Sequence, residues 1–295
     1  MNPIQILTGD CRETLLTLSS ESVHTCVTSP PYFGLRDYGH DGQIGLEQTP
    51  DAYVAQLVQV FREVRRVLRK DGTLWLNLGD SYAAQRGGTH MPAETLAGGK
   101  GGKTANGERV NRDRFDGINP TRNASAIGLK HKDLIGIPWR VAFALQSDGW
   151  YLRQDIIWHK PNPMPESVRD RCTKAHEYIF LLAKSERYHF DNNAIAESSV
   201  MEDAGTRNKR SVWMVNTKPY SGAHFATFPP ELIRPCIRAG APVGGIVLDP
   251  FGGSGTTGQV AIEEGRRAIL CELNPDYVQL INQRTSVNLS LGIGQ

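Results

Sequence analysis

Hydrophobic runs long enough for a membrane-spanning helix, roughly 18 residues, are missing from this sequence. The first ten residues, MNPIQILTGD, also lack the basic and apolar regions of a secretory signal peptide. We therefore expect a cytoplasmic protein, encoded by a bacterium or a phage, that makes no contact with a membrane.

Cysteine is scarce, and the five cysteines form no Cys-x-x-Cys pair and no Cys/His spacing typical of a metal site. We expect buried free thiols in a reducing compartment, with no disulfide and no metal. These cysteines are Cys11, Cys26, Cys172, Cys236 and Cys271. A strong charge is missing as well: the formal net charge of +2 neither demands nor excludes nucleic acid as a partner.

The composition predicts a hydrophobic core of ordinary size, since 39% of the 295 residues are hydrophobic and 22% are charged. Residues 51–72 carry apolar side chains three and four positions apart, which predicts an amphipathic helix closed by Asp71-Gly72. Short aliphatic and β-branched runs precede and follow this helix, and this alternation predicts a parallel sheet. We expect a single α/β domain over residues 1–295.

A second pattern of strand, turn and helix lies near the C-terminus, in VLDPFGGSGTTG. Small residues let the backbone approach a ligand closely, and the N-terminus of the following helix offers free N–H groups. Glu272 ends the next predicted strand, twenty residues after Gly252, where a carboxylate can accept hydrogen bonds from ribose hydroxyls.

Four interpretations of this loop are open. A P-loop requires Gly-Lys-Ser/Thr, and the loop contains no lysine. The dinucleotide site of an oxidoreductase requires GxGxxG, which residues 253–258 match only formally. S-adenosylmethionine is the third candidate, with its adenosine over the loop and its ribose against Glu272. A tight turn that binds no ligand is the fourth.

The tetrapeptide Ser29-Pro30-Pro31-Tyr32 ends another predicted strand. The exocyclic amine of a nucleobase is a poor nucleophile because its lone pair is delocalised into the ring. The Ser29 hydroxyl and the Pro30 carbonyl can accept its N–H protons, and the prolines fix the direction of the carbonyl. Tyr32 offers a stacking face for a base that has left the duplex. A structural turn at the end of a strand is the alternative.

Together, VTSPPY and LDPFGGSGTTG resemble the S-adenosylmethionine-dependent DNA amino-methyltransferases, which methylate cytosine-N4 or adenine-N6. The tetrapeptide precedes the cofactor loop, an order similar to the circularly permuted beta class. The resemblance covers most of the chain, except residues 85–132 and the segment after Ser185. It implies a Rossmann-like class I methyltransferase fold, with a mostly parallel seven-stranded sheet and helices on both faces.

The resemblance also implies roles for individual residues. The catalytic motif is matched by Ser29, Pro30, Pro31 and Tyr32. Glu272 matches the acid that binds the ribose, and Asp10 the acid that reaches the adenine amino group of the cofactor. Thr227 and Phe228 match the segment that holds the methionine end. The residues of the cofactor loop are Asp249, Pro250, Phe251, Gly252, Gly253, Ser254, Gly255, Thr256 and Thr257.

The first residue of the tetrapeptide bears on the substrate. Cytosine-N4 members of the family mostly carry Ser at this position, and adenine-N6 members mostly carry Asp. Ser29 therefore favours cytosine-N4 in duplex DNA, with adenine-N6 as the nearest alternative. A DNA-binding module without activity is a further alternative, which the intact tetrapeptide disfavours.

Two irregular segments are candidates for DNA recognition. Residues 85–132 form a basic insertion with nine Lys and Arg against four Asp and Glu, and residues 186–222 form a candidate target-recognition segment. Basic side chains can neutralise phosphates or read guanine, and a solvated loop is the alternative for either segment. The candidate DNA contacts are Arg109, Arg112, Arg114, Lys160, Arg169, Arg171, Arg207, Lys209 and Arg210. The resemblance implies double-stranded DNA as partner, and it is compatible with a homodimer and a companion restriction endonuclease.

Overall fold

The computed structural model describes residues 3–40, 42–84, 121, 124–199, 205–217 and 228–291, with side chains up to residue 285. Most of the predicted basic insertion and part of the predicted target-recognition segment lie outside these residues. So do four predicted site residues, Arg109, Arg112, Arg114 and Thr227.

Eight strands form one mixed sheet in the described part of the chain. They are β1 (Ile4–Thr8), β2 (Val23–Thr28), β3 (Leu68–Leu78), β4 (Tyr151–His159), β5 (His176–Ala183), β8 (Val212–Met214), β9 (Ile246–Asp249) and β10 (Arg267–Glu272). Two further strands, β6 (Glu197–Ser198) and β7 (Thr206–Arg207), pair with each other in antiparallel orientation.

The order of the strands in the sheet is β1-β10-β9-β2-β3-β5-β4-β8. The strands from β1 to β3 in this order are parallel, β5 is antiparallel to both of its neighbours, and β4 pairs in parallel with β8. The prediction of a mostly parallel α/β sheet is confirmed. The sheet has one strand more than the seven predicted, because the three residues of β8 extend its edge beyond β4.

Helices cover both faces of the sheet. They are α1 (Cys11–Thr14), α2 (Pro50–Val67), α3 (Ile137–Ser147), α4 (Pro230–Gly240), α5 (Thr256–Glu263) and α6 (Pro275–Leu291). Successive strand residues point to opposite faces, so Cys26 packs with α2 and α3 in one core, and Val27 with α4 and α5 in a second core. None of the described helices is long and apolar enough to cross a membrane.

Helix α2 ends before the predicted closure at Asp71-Gly72. Thr49 caps its start, since the Thr49 hydroxyl accepts a hydrogen bond from the N–H of Ala52 at 3.1 Å. Its end follows from pairing: Leu68 adopts an extended backbone, with φ −65° and ψ 139°, and lies opposite Val23 of β2. The end predicted for this helix is therefore wrong, because residues 68–72 are the beginning of β3.

The cysteines are all free, and four of the five are buried as predicted. Cys172 is exposed, so the prediction of a buried thiol is wrong at this position. The reason is local: Cys172 lies in the irregular connection between β4 and β5, outside both cores. Among the residues that the structure describes, no group of three His, Cys, Asp or Glu side chains is placed to hold a metal ion.

The chain reverses its course across the sheet between β2 and β9. From β2 it passes through α2 to β3 on one side, and from β9 it passes through α5 to β10 on the other side. In open α/β sheets such a reversal leaves a crevice at the carboxyl ends of the two strands, where ligands bind. Thr28 ends β2 and Asp249 ends β9, so both sequence motifs begin at this crevice.

Gly255 turns the chain from the predicted cofactor loop into α5. Its φ of +80° is left-handed, and a Cβ there would lie 3.1 Å from the side chain of Ile281 in α6. We expect Gly255→Ala to lower the free energy of unfolding, measured with urea, by roughly 1–3 kcal/mol. Gly244→Ala is a matched control, since Gly244 has a φ of +77° but open space around its Cβ position. Equal losses in the two variants would contradict the contribution of Ile281.

Candidate active site

Asp249 joins the two motifs at the crevice. Its buried carboxylate accepts hydrogen bonds from the hydroxyls of Thr28 and Thr257, at 2.6 and 2.7 Å, and from the N–H of Phe251 at 3.0 Å. Burial raises the pKa of Asp249 above its ordinary value, against the effect of these hydrogen bonds. Thr28 directly precedes Ser29, so one carboxylate holds the tetrapeptide and the glycine loop side by side.

The glycine loop lies directly against the end of β10. The N–H of Gly252 donates to the carbonyl of Cys271 at 2.8 Å, and a Cβ at Gly252 would lie 3.2 Å from that oxygen. The next N–H, that of Gly253, donates to the Glu272 carboxylate at 2.7 Å. Because Gly252 and Gly253 have no side chains, the loop backbone can lie directly next to Glu272.

Two loop residues, Phe251 and Gly253, are partly exposed, whereas the other seven residues of 249–257 are buried. The Ser254 and Thr256 hydroxyls accept hydrogen bonds from a guanidinium N–H of Arg284 in α6, at 3.0 and 3.1 Å. A Cβ at Gly253 would find only the Phe251 carbonyl within 4 Å, at 3.8 Å. The open surface of the loop is therefore formed by Phe251 and Gly253, while the Ser254 and Thr256 hydroxyls hold α6 in place.

Glu272 stands at the carboxyl end of β10, beside this open surface. One carboxylate oxygen accepts from the N–H of Gly253, and the other accepts from the N–H of Asn274 at 2.8 Å. Each oxygen can accept a further hydrogen bond, so ligand hydroxyls can bind without displacing the loop. Burial raises the pKa of Glu272 to about 7, although both backbone hydrogen bonds oppose the shift.

Asp10 lies at the same edge of the sheet, because β1 pairs with β10 and the N–H of Gly9 donates to the Glu272 carbonyl at 2.9 Å. Its carboxylate is bound by Arg12, whose Nε lies 3.0 Å from both carboxylate oxygens. Burial acts to raise the pKa of Asp10, but the hydrogen bonds from Arg12 outweigh this effect and lower the pKa below its ordinary value. Arg12 also donates to the Gly42 carbonyl at 2.9 Å, which ties the loop after the tetrapeptide to this acid.

Tyr32 is held by residues that sequence reasoning did not find. Its hydroxyl donates to the Glu177 carboxylate at 2.7 Å and lies 3.2 Å from the side-chain oxygen of Asn77. The Ser29 hydroxyl lies 3.5 Å from the Tyr32 hydroxyl oxygen. A Cβ at Gly79 would lie 2.5 Å from the Tyr32 ring, so the ring rests directly on the backbone after β3.

Three of the candidate DNA contacts, Lys160, Arg169 and Arg171, lie between β4 and β5 and have different surroundings. Lys160 forms an ion pair with Glu177, the residue that binds Tyr32, so Lys160 lies beside the tetrapeptide. Arg171 pairs with Glu166 at 2.6 Å and lies 4.0 Å from the centre of the Tyr82 ring, whereas Arg169 is exposed.

The basic residues before β8 are partly neutralised. Arg207 and Arg210 both pair with Glu197, at 3.2 and 2.6 Å. Lys209 lies 5.1 Å from the centre of the Trp213 ring. These three side chains stay candidates for DNA contact, but two of them share one carboxylate within their own segment.

Helix α4 begins two residues after Phe228, one of the two residues matched to the methionine end of the cofactor. Pro229 precedes α4, Pro230 is its first residue, and the described neighbour Phe228 packs against the core beneath it.

The predicted acids and the tetrapeptide lie at one edge of the sheet. Because β1, β10, β9 and β2 are parallel, their carboxyl ends lie together, and with them Asp10, Ser29, Asp249 and Glu272.

A family model described as DNA methylase, the N6/N4 methyltransferase family, matches residues 23–283. The chain belongs to this family. It is 50% identical over 284 residues to the Type II methyltransferase M.Cfr9I of Citrobacter freundii, covering 96% of this chain and 88% of that relative. It is 52% identical over 276 residues to M.XycI of Xanthomonas campestris pv. cyanopsidis, covering 94% and 85%.

Solved structures show the same fold. The DNA methylase TTHA0409 of Thermus thermophilus, a putative enzyme solved in complex with S-adenosyl-L-methionine, has a TM-score of 0.61 and 26% identity, covering 96% of this chain and 95% of that one. The PvuII DNA methyltransferase, described as cytosine-N4-specific, has a TM-score of 0.66 and 21% identity, covering 95% and 86%. The predicted class I methyltransferase fold and the predicted family are both confirmed.

Proposed function

We propose that this DNA methyltransferase modifies the N4 amine of a cytosine that has left duplex DNA. The observation that carries the proposal is the Asp249 carboxylate, which binds Thr28 directly before the tetrapeptide and Thr257 at the end of the glycine loop. A base at Ser29 and a cofactor at the loop would then be neighbours. Holding two reactants together in this way supplies much of the rate enhancement in a direct transfer.

The methyl donor is S-adenosylmethionine, and the described residues fit it. The open backbone at Phe251 and Gly253 would receive the adenosine, the Glu272 carboxylate would accept hydrogen bonds from the ribose hydroxyls, and the Asp10 carboxylate would accept one from the adenine amino group. Phe228 would lie near the methionine end at the start of α4, and Thr227, proposed for the same role, lies outside the described residues. When bound, the cofactor supplies a methyl group on a positively charged sulfur.

The chain's own residues prepare the target amine. The Ser29 oxygen and the Pro30 carbonyl accept the two N–H protons of the amine, which directs the nitrogen lone pair away from the ring. The Pro31 carbonyl is engaged elsewhere, because it accepts a hydrogen bond from the Tyr53 hydroxyl at 2.8 Å. That bond fixes the turn, so that the acceptors at positions 29 and 30 keep their direction.

Cytosine is favoured over adenine by Ser29, since a hydroxyl stands where adenine-N6 members mostly carry a carboxylate. The PvuII enzyme, called cytosine-N4-specific, shares the fold. Methylated plasmid should be digested to nucleosides and analysed by mass spectrometry. We expect N4-methylcytosine; N6-methyladenine as the modified nucleoside would contradict the proposal and establish the alternative.

The biological setting follows from the relatives. Because M.Cfr9I and M.XycI are named Type II methyltransferases, we propose a cytoplasmic enzyme of a restriction-modification system with a companion endonuclease. Its partner is double-stranded DNA, read by the segments 85–132 and 186–222 of a single catalytic domain. A homodimer is the proposed assembly.

Cofactor affinity is expected to depend on pH through Glu272. With a pKa of about 7 in the free protein, this carboxyl is protonated below that pH, whereas ribose hydroxyls favour its ionised form. Affinity for S-adenosylhomocysteine should therefore rise by up to about tenfold from about pH 6 to about pH 8. Calorimetric titration measures the change, and Glu272→Gln should abolish it.

The control for this titration is Glu264→Gln. Glu264 pairs with Arg234 and Arg238 at the far end of α5, so the variant should keep the pH dependence of the unmodified protein. An affinity that is independent of pH before any substitution would contradict the role of Glu272.

A further inference from the structure

Glu177 reaches the catalytic tetrapeptide from the antiparallel side of the sheet. Strand β5 runs against β3, with Tyr178 opposite Leu78, so its first residues lie at the edge where β2 and β3 end. From there the Glu177 carboxylate accepts the Tyr32 hydroxyl at 2.7 Å. The length of this bond is that of a strong hydrogen bond to a charged acceptor.

The carboxylate is itself fixed by two neighbours. Its other oxygen pairs with the ammonium of Lys160, which lies 4.4 Å from the centre of the Trp158 ring. The Asn77 amide donates to the Tyr32-bound oxygen at 3.3 Å and to the Tyr178 carbonyl at 3.0 Å. The Lys160 and Glu177 side chains are only 18% and 15% exposed, so the pair is largely shielded from water.

The direction of the hydrogen bonds determines what Ser29 can do. A phenol has one proton, and Tyr32 donates it to Glu177, so its oxygen is left as an acceptor for the Ser29 hydroxyl at 3.5 Å. A serine that donates its proton there keeps its lone pairs for another donor. Burial, with the negative charge of Glu177 adding to it, raises the pKa of Tyr32 well above its ordinary value, which keeps the phenol protonated.

We propose that Glu177 is a positioning residue for methyl transfer: its carboxylate orients the Tyr32 hydroxyl, which turns the Ser29 oxygen toward the target amine as an acceptor. The inference rests on the proposed role of Ser29. It places a negative charge two hydrogen bonds behind a neutral hydroxyl, and successive hydrogen bonds polarise one another. The negative charge of Glu177 thus polarises the Ser29 hydroxyl through Tyr32, although the tetrapeptide itself contains no carboxylate.

The test compares Glu177→Gln, Tyr32→Phe and the double variant in the full-length enzyme. Glu177→Gln keeps an acceptor but loses the charge, and Tyr32→Phe keeps the ring but loses the hydroxyl. We expect each to lower kcat by roughly 10- to 100-fold. The Kd for S-adenosylhomocysteine and the KM for DNA should stay within about twofold. Because both act through one hydrogen bond, the double variant should be no slower than the slower single variant.

The control is Glu264→Gln, which removes another shielded and ion-paired carboxylate, 10% exposed, remote from the tetrapeptide. It should leave kcat unchanged, even where thermal unfolding shows a lower midpoint. A kcat of Glu177→Gln within twofold of the unmodified enzyme, or effects that multiply in the double variant, would overturn the proposal. Should Glu177→Gln fail to fold, Tyr32→Phe decides, since an unchanged kcat would show that the hydroxyl transmits nothing.

The readout keeps this inference separate from the proposed substrate. The rate is counted as labelled methyl groups incorporated into DNA, whichever nucleoside carries them. Detection of N6-methyladenine would refute cytosine as the target and leave the comparison of kcat values intact. Loss of the Glu177 effect with N4-methylcytosine as product would refute the positioning role alone.

Discussion

Tyr32→Ala is expected to lower the rate of methyl transfer by about 100-fold or more, while cofactor affinity stays within about twofold. The substitution removes the stacking face for the base and the hydroxyl that joins Ser29 to Glu177. It leaves the glycine loop intact, because that loop is held by Asp249 and Glu272. Single-turnover rates with saturating cofactor, together with calorimetric binding of S-adenosylhomocysteine, measure the two quantities separately.

Tyr151→Ala is the matched control for this variant. Tyr151 is 45% exposed at the start of β4, opposite Ala183, and so lies at the other edge of the sheet. Its loss should leave both quantities unchanged. If Tyr32→Ala weakened cofactor binding as much as it slowed transfer, the assignment of separate tasks to the tetrapeptide and the loop would be refuted.

The second large effect is expected from Asp249→Ala, which should weaken cofactor binding by about 100-fold or more and destabilise the fold by about 3 kcal/mol. Two buried hydroxyls, those of Thr28 and Thr257, and the partly buried N–H of Phe251 lose their acceptor together. The loop then no longer has a fixed position relative to β2. Urea unfolding and calorimetry test the two predictions.

Asp249→Asn separates the shape of the side chain from its charge. An amide oxygen can still accept from the N–H of Phe251, and the loss of a buried charge removes a desolvation cost. We expect a free energy of unfolding close to that of the unmodified protein, and cofactor affinity within about tenfold of it. As a control, Asp148→Ala removes a shielded carboxylate that pairs with Arg62 away from the crevice, and it should leave affinity unchanged. Unaltered cofactor binding by Asp249→Ala would contradict the link between the motifs.

The motifs were predictable because they are local. Strand ends followed by SPPY or by a glycine loop are visible in the sequence, and parallel strands bring their carboxyl ends to one edge. Local patterns do not show how distant strands pair. Glu177 lies 145 residues from Tyr32, and the two residues meet because β5 inserts antiparallel beside β3.

The number of basic residues in a segment was predictable from the sequence, but the carboxylates that pair with them were not. The sequence shows Arg207 and Arg210 in a basic segment, and the structure adds Glu197, which binds both. The end of α2 shows the same limit. Its apolar spacing continues to Leu68, yet pairing with Val23 of β2 converts that residue to strand. In both cases a contact from another part of the chain outweighs the local pattern.

The interleaving of the sheet has a consequence for biosynthesis. Strands β9 and β10 are synthesised after β1 and β2 but lie between them in the sheet, and Asp249 follows its partner Thr28 by 221 positions in the chain. A ribosome-bound fragment that lacks β9 and β10 therefore has β1 without its partner strand and β2 unpaired on one side, and it lacks the glycine loop and Glu272. Closing so long a loop is slow, and the exposed edges favour self-association until it happens. Competence to bind the methyl donor is thus gained only after β9 and β10 have been synthesised and have inserted between β1 and β2.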